Sequence, residues 1–174
     1  KFRYKLKKNL VLTGMMGVGK SSVGEDLSRK LNTGFKDIDK IIETKLSLSI
    51  SDIFEKKGEN FFREIEEKET LAHLKDEHAV IALGGGAFLN DKIRENIKKF
   101  SISFWLDLNN KQIFQRISVN KKRPLFSDKS TEKDVEKIYE ERKGIYSLAN
   151  YKINCNFKNK NEIVKEILKI YENI

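Results

Sequence analysis

Short apolar runs alternate with longer amphipathic stretches along the whole chain, and that alternation predicts the fold class. Residues 10–13, 35–37, 79–83, 102–106 and 151–154 have the length and the β-branched or aromatic character of strands. Between them, apolar residues recur at helical spacing over 22–31, 38–57, 60–75, 91–99, 110–119, 131–148 and 161–171. In the first of these segments Val23, Leu27 and Leu31 stand four apart and line one helix face. Strands that alternate with helices imply βαβ crossovers, a parallel sheet and an α/β sandwich. Such sheets bind ligands at the carboxyl ends of their strands. Two regions break the alternation. Residues 39–75 are almost wholly helical and are expected to form a cap beside the site. Residues of about 120–131 hold Pro124, the one proline, and the basic run Lys121-Lys122-Arg123, and read as a lid-like loop.

The first strand runs into Gly14-Met15-Met16-Gly17-Val18-Gly19-Lys20-Ser21, the phosphate-binding pattern G-x-x-x-x-G-K-[ST] in its required place between a strand and a helix. Glycines let backbone N–H groups turn inward onto phosphate oxygens. Lys20 is then placed for the β- and γ-phosphates, and the Ser21 hydroxyl for Mg²⁺. The pattern points to ATP or GTP, with the segment from Gly17 through Val18, Gly19, Lys20 and Ser21 to Ser22 as the nucleotide site. The alternative is a glycine-rich turn with no ligand.

Four further groups lie on or after the predicted strands and helices. Asp37-Ile38-Asp39 ends the second strand, so one carboxylate can serve the metal and the other can orient an acceptor hydroxyl and take its proton. The competing reading is a turn in which Asp39 caps the next helix. Arg63 sits beside the apolar face marked by Phe62, Ile65, Leu71 and Leu74, a position suited to two parallel bonds to a planar carboxylate. An intrahelical pair with Glu66 or Glu67 explains it equally well. Gly84-Gly85-Gly86 offers no side chains, so its use is a tight turn or close approach of backbone to a ligand. Arg123, in the loop with Pro124, is placed to stabilise charge on a phosphoryl group in transfer. Trp105, in an apolar run, reads as core, and His73 and His78 have no metal-like spacing.

Composition removes several classes. The chain has 174 residues, enough for one domain, and nothing in it approaches a membrane span or a signal peptide. The single Cys155 excludes an internal disulfide and suits a reducing compartment. The formal charge of +9 raises nucleic-acid binding. Its lysines, however, are interleaved with glutamates, as in Glu64, Glu66, Glu67, Lys68 and Glu69, rather than gathered in one arm. The expectation is therefore a cytoplasmic monomer with a small-molecule substrate, and neither a nucleic-acid nor a membrane partner.

Taken in order, the P-loop G-M-M-G-x-G-K-S, D-x-D, F-R-x-x-E, the triple glycine and R-P-L resemble the shikimate kinases from about Leu10 to the last helix. The resemblance implies the fold of nucleoside monophosphate kinases: a five-stranded parallel sheet in a three-layer sandwich, a helical substrate-binding region and a lid within one P-loop kinase domain spanning 1–174. It implies ATP and Mg²⁺ as cofactors, and transfer of the γ-phosphoryl group to the 3-hydroxyl of shikimate on the route to chorismate and the aromatic amino acids. By this similarity Lys20 holds the phosphates, Ser21 and Asp37 hold Mg²⁺, and Asp39 binds the acceptor hydroxyls and is the candidate base. Arg63 and Arg142 clamp the carboxylate, with the Gly85 and Gly86 backbone against the ring and Phe54 and Phe62 as walls. Arg116 lies over adenine, Arg123 enters from the lid, and Glu66 partners Arg63. The chain departs from the family's pattern at Phe126, where a second leucine is usual, and at Gly144, where proline is frequent. Rival readings are another small-metabolite kinase of this fold, for gluconate or a nucleoside monophosphate, and a nucleotide-binding protein without catalysis.

Overall fold

The computed structural model describes residues 6, 8–76, 78–119 and 124–174. Five parallel strands, β1 (Asn9–Thr13), β2 (Gly34–Asp37), β3 (Ala79–Ala82), β4 (Ser101–Asp107) and β5 (Tyr151–Asn154), form one sheet in the order β2-β3-β1-β4-β5. The helices are α1 (Lys20–Leu31), α2 (Ile38–Leu46), α3 (Ile50–Lys57), α4 (Glu59–Asp76), α5 (Asp91–Phe100), α6 (Asn110–Val119), α7 (Glu132–Tyr146) and α8 (Lys160–Glu172). From β1 the chain moves one way across the sheet to β2, and from β3 it moves the other way to β4. Because parallel crossovers are right-handed, the two directions put α1 and α5 on opposite faces. Helix α8 packs beside α1, and α4 beside α5, completing three layers.

β1 is buried at every position and is the centre of the core. A central parallel strand covered by helices on both faces needs a continuous apolar run, which Leu10, Val11 and Leu12 supply. The expected α1 stripe of Val23, Leu27 and Leu31 is buried against it, joined by Ile93 and Ile97 of α5 and Ile163, Val164 and Ile167 of α8. Each such side chain contributes roughly 1.5–3 kcal/mol on burial.

One expected element divides in two. The amphipathic stretch 38–57 is not one helix but α2 and α3, because Ser47 takes a left-handed conformation (φ 51°) and Ser49 starts afresh, its hydroxyl accepting from the Asp52 N–H at 3.0 Å. Serine competes for backbone bonds and so favours helix ends over interiors. The break lets α3 and then α4 pack back against α2, and all three helices contribute residues to one pocket.

Two helical glycines lie in opposite surroundings. A methyl group on Gly24 of α1 would stand 2.5 Å from the Phe35 ring, whereas one on Gly144 of α7 would meet nothing within 4 Å. Gly144→Ala is therefore expected to stabilise the protein by about 1 kcal/mol, read as a rise in Tm of about 2–4 °C. Gly24→Ala must push Phe35 aside and is expected to forfeit that gain, so equal melting shifts in the two variants would contradict this picture.

Candidate active site

The P-loop leaves the end of β1 as a backbone cradle. Gly14, Gly17 and Gly19 all have positive φ (137°, 81° and 101°), and a side chain on Gly14 would strike the Leu106 carbonyl 2.5 Å away. Gly19 begins α1 without a side-chain cap, and the first turn of α1 carries no acidic residue. Its N–H groups and the positive end of its dipole are thus left for an anion. Lys20, buried, folds over the loop and donates Nζ to Gly14 O at 2.6 Å and Met15 O at 2.9 Å. Arg116 of α6 clasps the other side, its Nη1 donating to Gly17 O at 3.2 Å and Val18 O at 3.1 Å.

β2 ends beside this cradle. The Ser21 hydroxyl donates to Asp37 Oδ2 at 2.5 Å, and Asp37 Oδ1 caps α2 by accepting from the Lys40 N–H at 3.3 Å. The capping role considered for Asp39 thus belongs to Asp37, and Asp39 points from the first turn of α2 into the adjoining pocket.

That pocket is a half-open cleft between α2, α3, α4, α7 and the loop after β3. Phe54 and Phe62 form its apolar wall, with ring centroids 4.9 Å apart, and the Arg63 guanidinium lies over both rings at 5.9 and 5.2 Å. Arg63 Nη1 donates to Glu66 Oε1 at 2.8 Å and Nη2 to Glu59 Oε1 at 3.3 Å. Arg142, buried on α7, donates Nη1 to Gly85 O at 3.2 Å. The triple glycine passes between these groups. A methyl on Gly84 would lie 2.6 Å from Asp39 Oδ1 and 2.8 Å from Glu66 Oε2, and one on Gly86 would lie 2.6 Å from both terminal nitrogens of Arg63.

Burial dominates the Glu66 carboxyl, only 2% exposed, and with Asp39 nearby pushes its pKa up to about 7 against the pull of Arg63 and Arg142. Burial works against the Arg63 charge too, but Glu66 and Glu59 outweigh it and hold its pKa above the usual value. The result is a pocket with two guanidinium groups, a carboxylate from Asp39, one apolar wall and a floor of bare backbone. It suits a small ring carrying a carboxylate and hydroxyls.

A sequence-family model described as shikimate kinase matches residues 16–172. The shikimate kinase of Sulfurihydrogenibium sp. (strain YO3AOP1) is 43% identical over 161 residues, covering 92% of this chain and 96% of that protein. The chain belongs to the shikimate kinase family. Among solved structures, shikimate kinase from Acinetobacter baumannii in complex with shikimate superposes with a TM-score of 0.89 at 33% identity, covering 95% of this chain and 93% of that one. Shikimate kinase from Aquifex aeolicus gives 0.83 at 36% identity, covering 95% and 96%. Shikimate kinases are ATP-dependent kinases with an alcohol acceptor, and they use Mg²⁺.

The residues present fit both groups. The glycine cradle, the uncapped start of α1 and Lys20 meet the needs of a triphosphate. The Ser21–Asp37 oxygen pair is the hard-donor set that Mg²⁺ takes when phosphate and water complete its shell. Among the described residues no group of three or more His, Cys, Asp or Glu side chains is placed to hold a metal ion. The fold also brings Asp39, Arg63, Gly85, Gly86, Phe54, Phe62 and Arg142 around one pocket, and Lys20, Ser21, Asp37 and Arg116 around the neighbouring cradle. Arg123 lies outside the described residues. Sequence reasoning missed Met16, a P-loop residue that also lines the acceptor pocket, and Tyr146, whose hydroxyl reaches Gly85 O. Nothing in the pattern distinguished Met16 from its neighbour Met15, and Tyr146 carried a faint signal in its spacing of four from Arg142.

The raised Glu66 pKa carries a sign. An unfolded glutamate loses its proton near 4.5 and the folded one near 7, so between those values the folded state binds more protons and stability falls as pH rises. Glu66→Gln has no such proton to lose. The Tm of the variant minus that of the wild type is expected to rise from about pH 4.5 to about pH 8; a difference that falls across this window would mean that Arg63 outweighs burial.

Proposed function

We propose that this chain transfers the γ-phosphoryl group of ATP to the 3-hydroxyl of shikimate, releasing ADP and shikimate 3-phosphate. One observation carries the choice of acceptor: Arg63 and Arg142 reach the same glycine loop while Asp39 lies beside it, all within the pocket that adjoins the P-loop. Two guanidinium groups match a carboxylate, Asp39 matches hydroxyls, and the Gly85–Gly86 turn, bare of side chains, leaves room for a ring. The solved Acinetobacter relative, which contains shikimate, supports the same choice.

In this reading Asp39 binds the acceptor hydroxyl and takes its proton as the oxygen bonds to the γ-phosphorus and the bond to the β-phosphate oxygen breaks. Lys20 leaves the loop carbonyls for the phosphates and stabilises charge spread over the transferring group. Ser21 and Asp37 hold Mg²⁺, which when bound neutralises the β- and γ-phosphate oxygens. Arg116 covers the nucleotide side, and Arg123 supplies a further positive charge from the lid. The region of about 39–75 serves as the substrate-binding part and about 120–131 as the lid of a single kinase domain. Pro124 and Leu125 already line the acceptor pocket, which is the support for that lid. Because one chain supplies both halves of the site, the working unit is a monomer. A cytoplasmic setting agrees with a buried free thiol at Cys155, whose pKa burial raises to about 12. Among the described residues no helix is long and apolar enough to cross a membrane.

ADP release from ATP and Mg²⁺ is expected with shikimate, and not with gluconate or nucleoside monophosphates offered in parallel. Turnover of one of those instead would keep the phosphate site and replace the acceptor. Asp39→Asn is expected to lower kcat by about 10²–10⁴-fold, the range for losing a positioned base, with ATP KM changed less than about threefold. Equal damage to kcat and ATP affinity would move Asp39 into the nucleotide site.

A further inference from the structure

Tyr146 ends α7 and is wholly buried, yet its hydroxyl donates to Gly85 O at 2.5 Å. Arg142, one helical turn earlier, donates Nη1 to the same oxygen at 3.2 Å. Residues four apart share a helix face, so the last turn of α7 delivers two donors to one carbonyl, whose two lone pairs they divide. That carbonyl lies midway along the glycine loop, whose preceding residue faces Asp39 and Glu66 and whose following residue faces Arg63. The tyrosine ring is itself seated. Trp105 of β4 lies 5.9 Å away, and Lys152 Nζ covers Trp105 at 4.6 Å while pairing with Asp107 at 3.0 Å. Burial raises the Tyr146 pKa against the charge of Arg142, which keeps the hydroxyl protonated as a donor.

We infer that Tyr146 is a positioning residue for the acceptor: by holding the Gly85 carbonyl it sets where the Arg142 guanidinium stands relative to that of Arg63. The inference rests on the acceptor reading above. Without the hydroxyl, Gly85 O can turn fully onto Arg142 and draw its N–H groups away from a carboxylate. A guanidinium fork gains from two parallel bonds only at one orientation, so a small rotation costs binding. Both bonds to Gly85 O come from α7, and the P-loop, which touches Gly85 through Met16, keeps its own bonds to Lys20 and Arg116.

The test is Tyr146→Phe, which keeps the buried ring and removes one oxygen, with shikimate and ATP varied separately and a thermal melt beside them. The shikimate KM is expected to rise about five- to tenfold, the value of one lost hydrogen bond, while the ATP KM stays within about twofold and kcat within about threefold. A role confined to stability would lower Tm and leave both KM values alone, and that result overturns the inference. Should this variant fail to fold, Trp105→Phe decides, since it keeps the hydroxyl and loosens the seat of the ring. A rise of about two- to threefold in shikimate KM alone supports the inference, and an unchanged KM overturns it. A wild type that does not turn over shikimate overturns the acceptor reading and this role with it, whereas an active wild type with an indifferent Tyr146→Phe removes only the role of Tyr146.

Discussion

The pocket beside the P-loop depends on bare backbone where the chain leaves β3, above all at Gly84 and Gly86. Gly84, Gly85 and Gly86 follow β3 after Leu83; the space that side chains at 84 and 86 would need is taken by Asp39, Glu66 and Arg63, while one at 85 would press on the Met16 backbone N at 3.3 Å. A larger residue at 84 would collide with the buried Glu66 carboxyl and with Asp39, and one at 86 would displace the Arg63 guanidinium. The cluster holds because acid and base alternate around the loop: Glu66 accepts from Arg63, and Arg142 is tied to the loop backbone. The glycines therefore determine how close the charges come, and the charges determine what the pocket accepts.

Sheet order then joins this pocket to the phosphate cradle. β1 and β3 are neighbours, with Leu12 paired to Ala82, so the P-loop and the glycine loop leave the sheet side by side. Met16 belongs to both, since its backbone N lies 3.3 Å from the position of a Gly85 methyl while its side chain lines the acceptor pocket. β2, on the far side of β3, brings Asp37 to the cradle as the N-cap of α2 and Asp39 to the pocket from that helix's first turn. One helix start thus serves two ligands.

Much of this was legible in the chain. The strand-and-helix alternation gave five strands in the expected places, and the P-loop is a local pattern whose function follows from backbone geometry that any strand–loop–helix imposes. The ion-pair reading of Arg63 is the one that the structure displays, with Nη1 on Glu66 and Nη2 on Glu59, and the proposed carboxylate contact has to draw on the N–H groups that those bonds leave. What stayed hidden depends on tertiary contact. The helix break at Ser47 is a choice between an amphipathic pattern and a weak breaker, and the packing of α3 against α4 decides it. Arg142 and Tyr146 lie 57 and 61 residues from the carbonyl they share, so no local spacing announces their partner. Arg116 is likewise brought to the P-loop only by the docking of α6.

A crystal structure with shikimate and ADP bound tests the central claim most directly. The account requires the shikimate carboxylate between Arg63 and Arg142, its hydroxyls at Asp39, and the ring against the Gly85–Gly86 backbone, with the ADP phosphates on the cradle at Lys20. Shikimate seated elsewhere, or with its carboxylate turned away from both arginines, would contradict it.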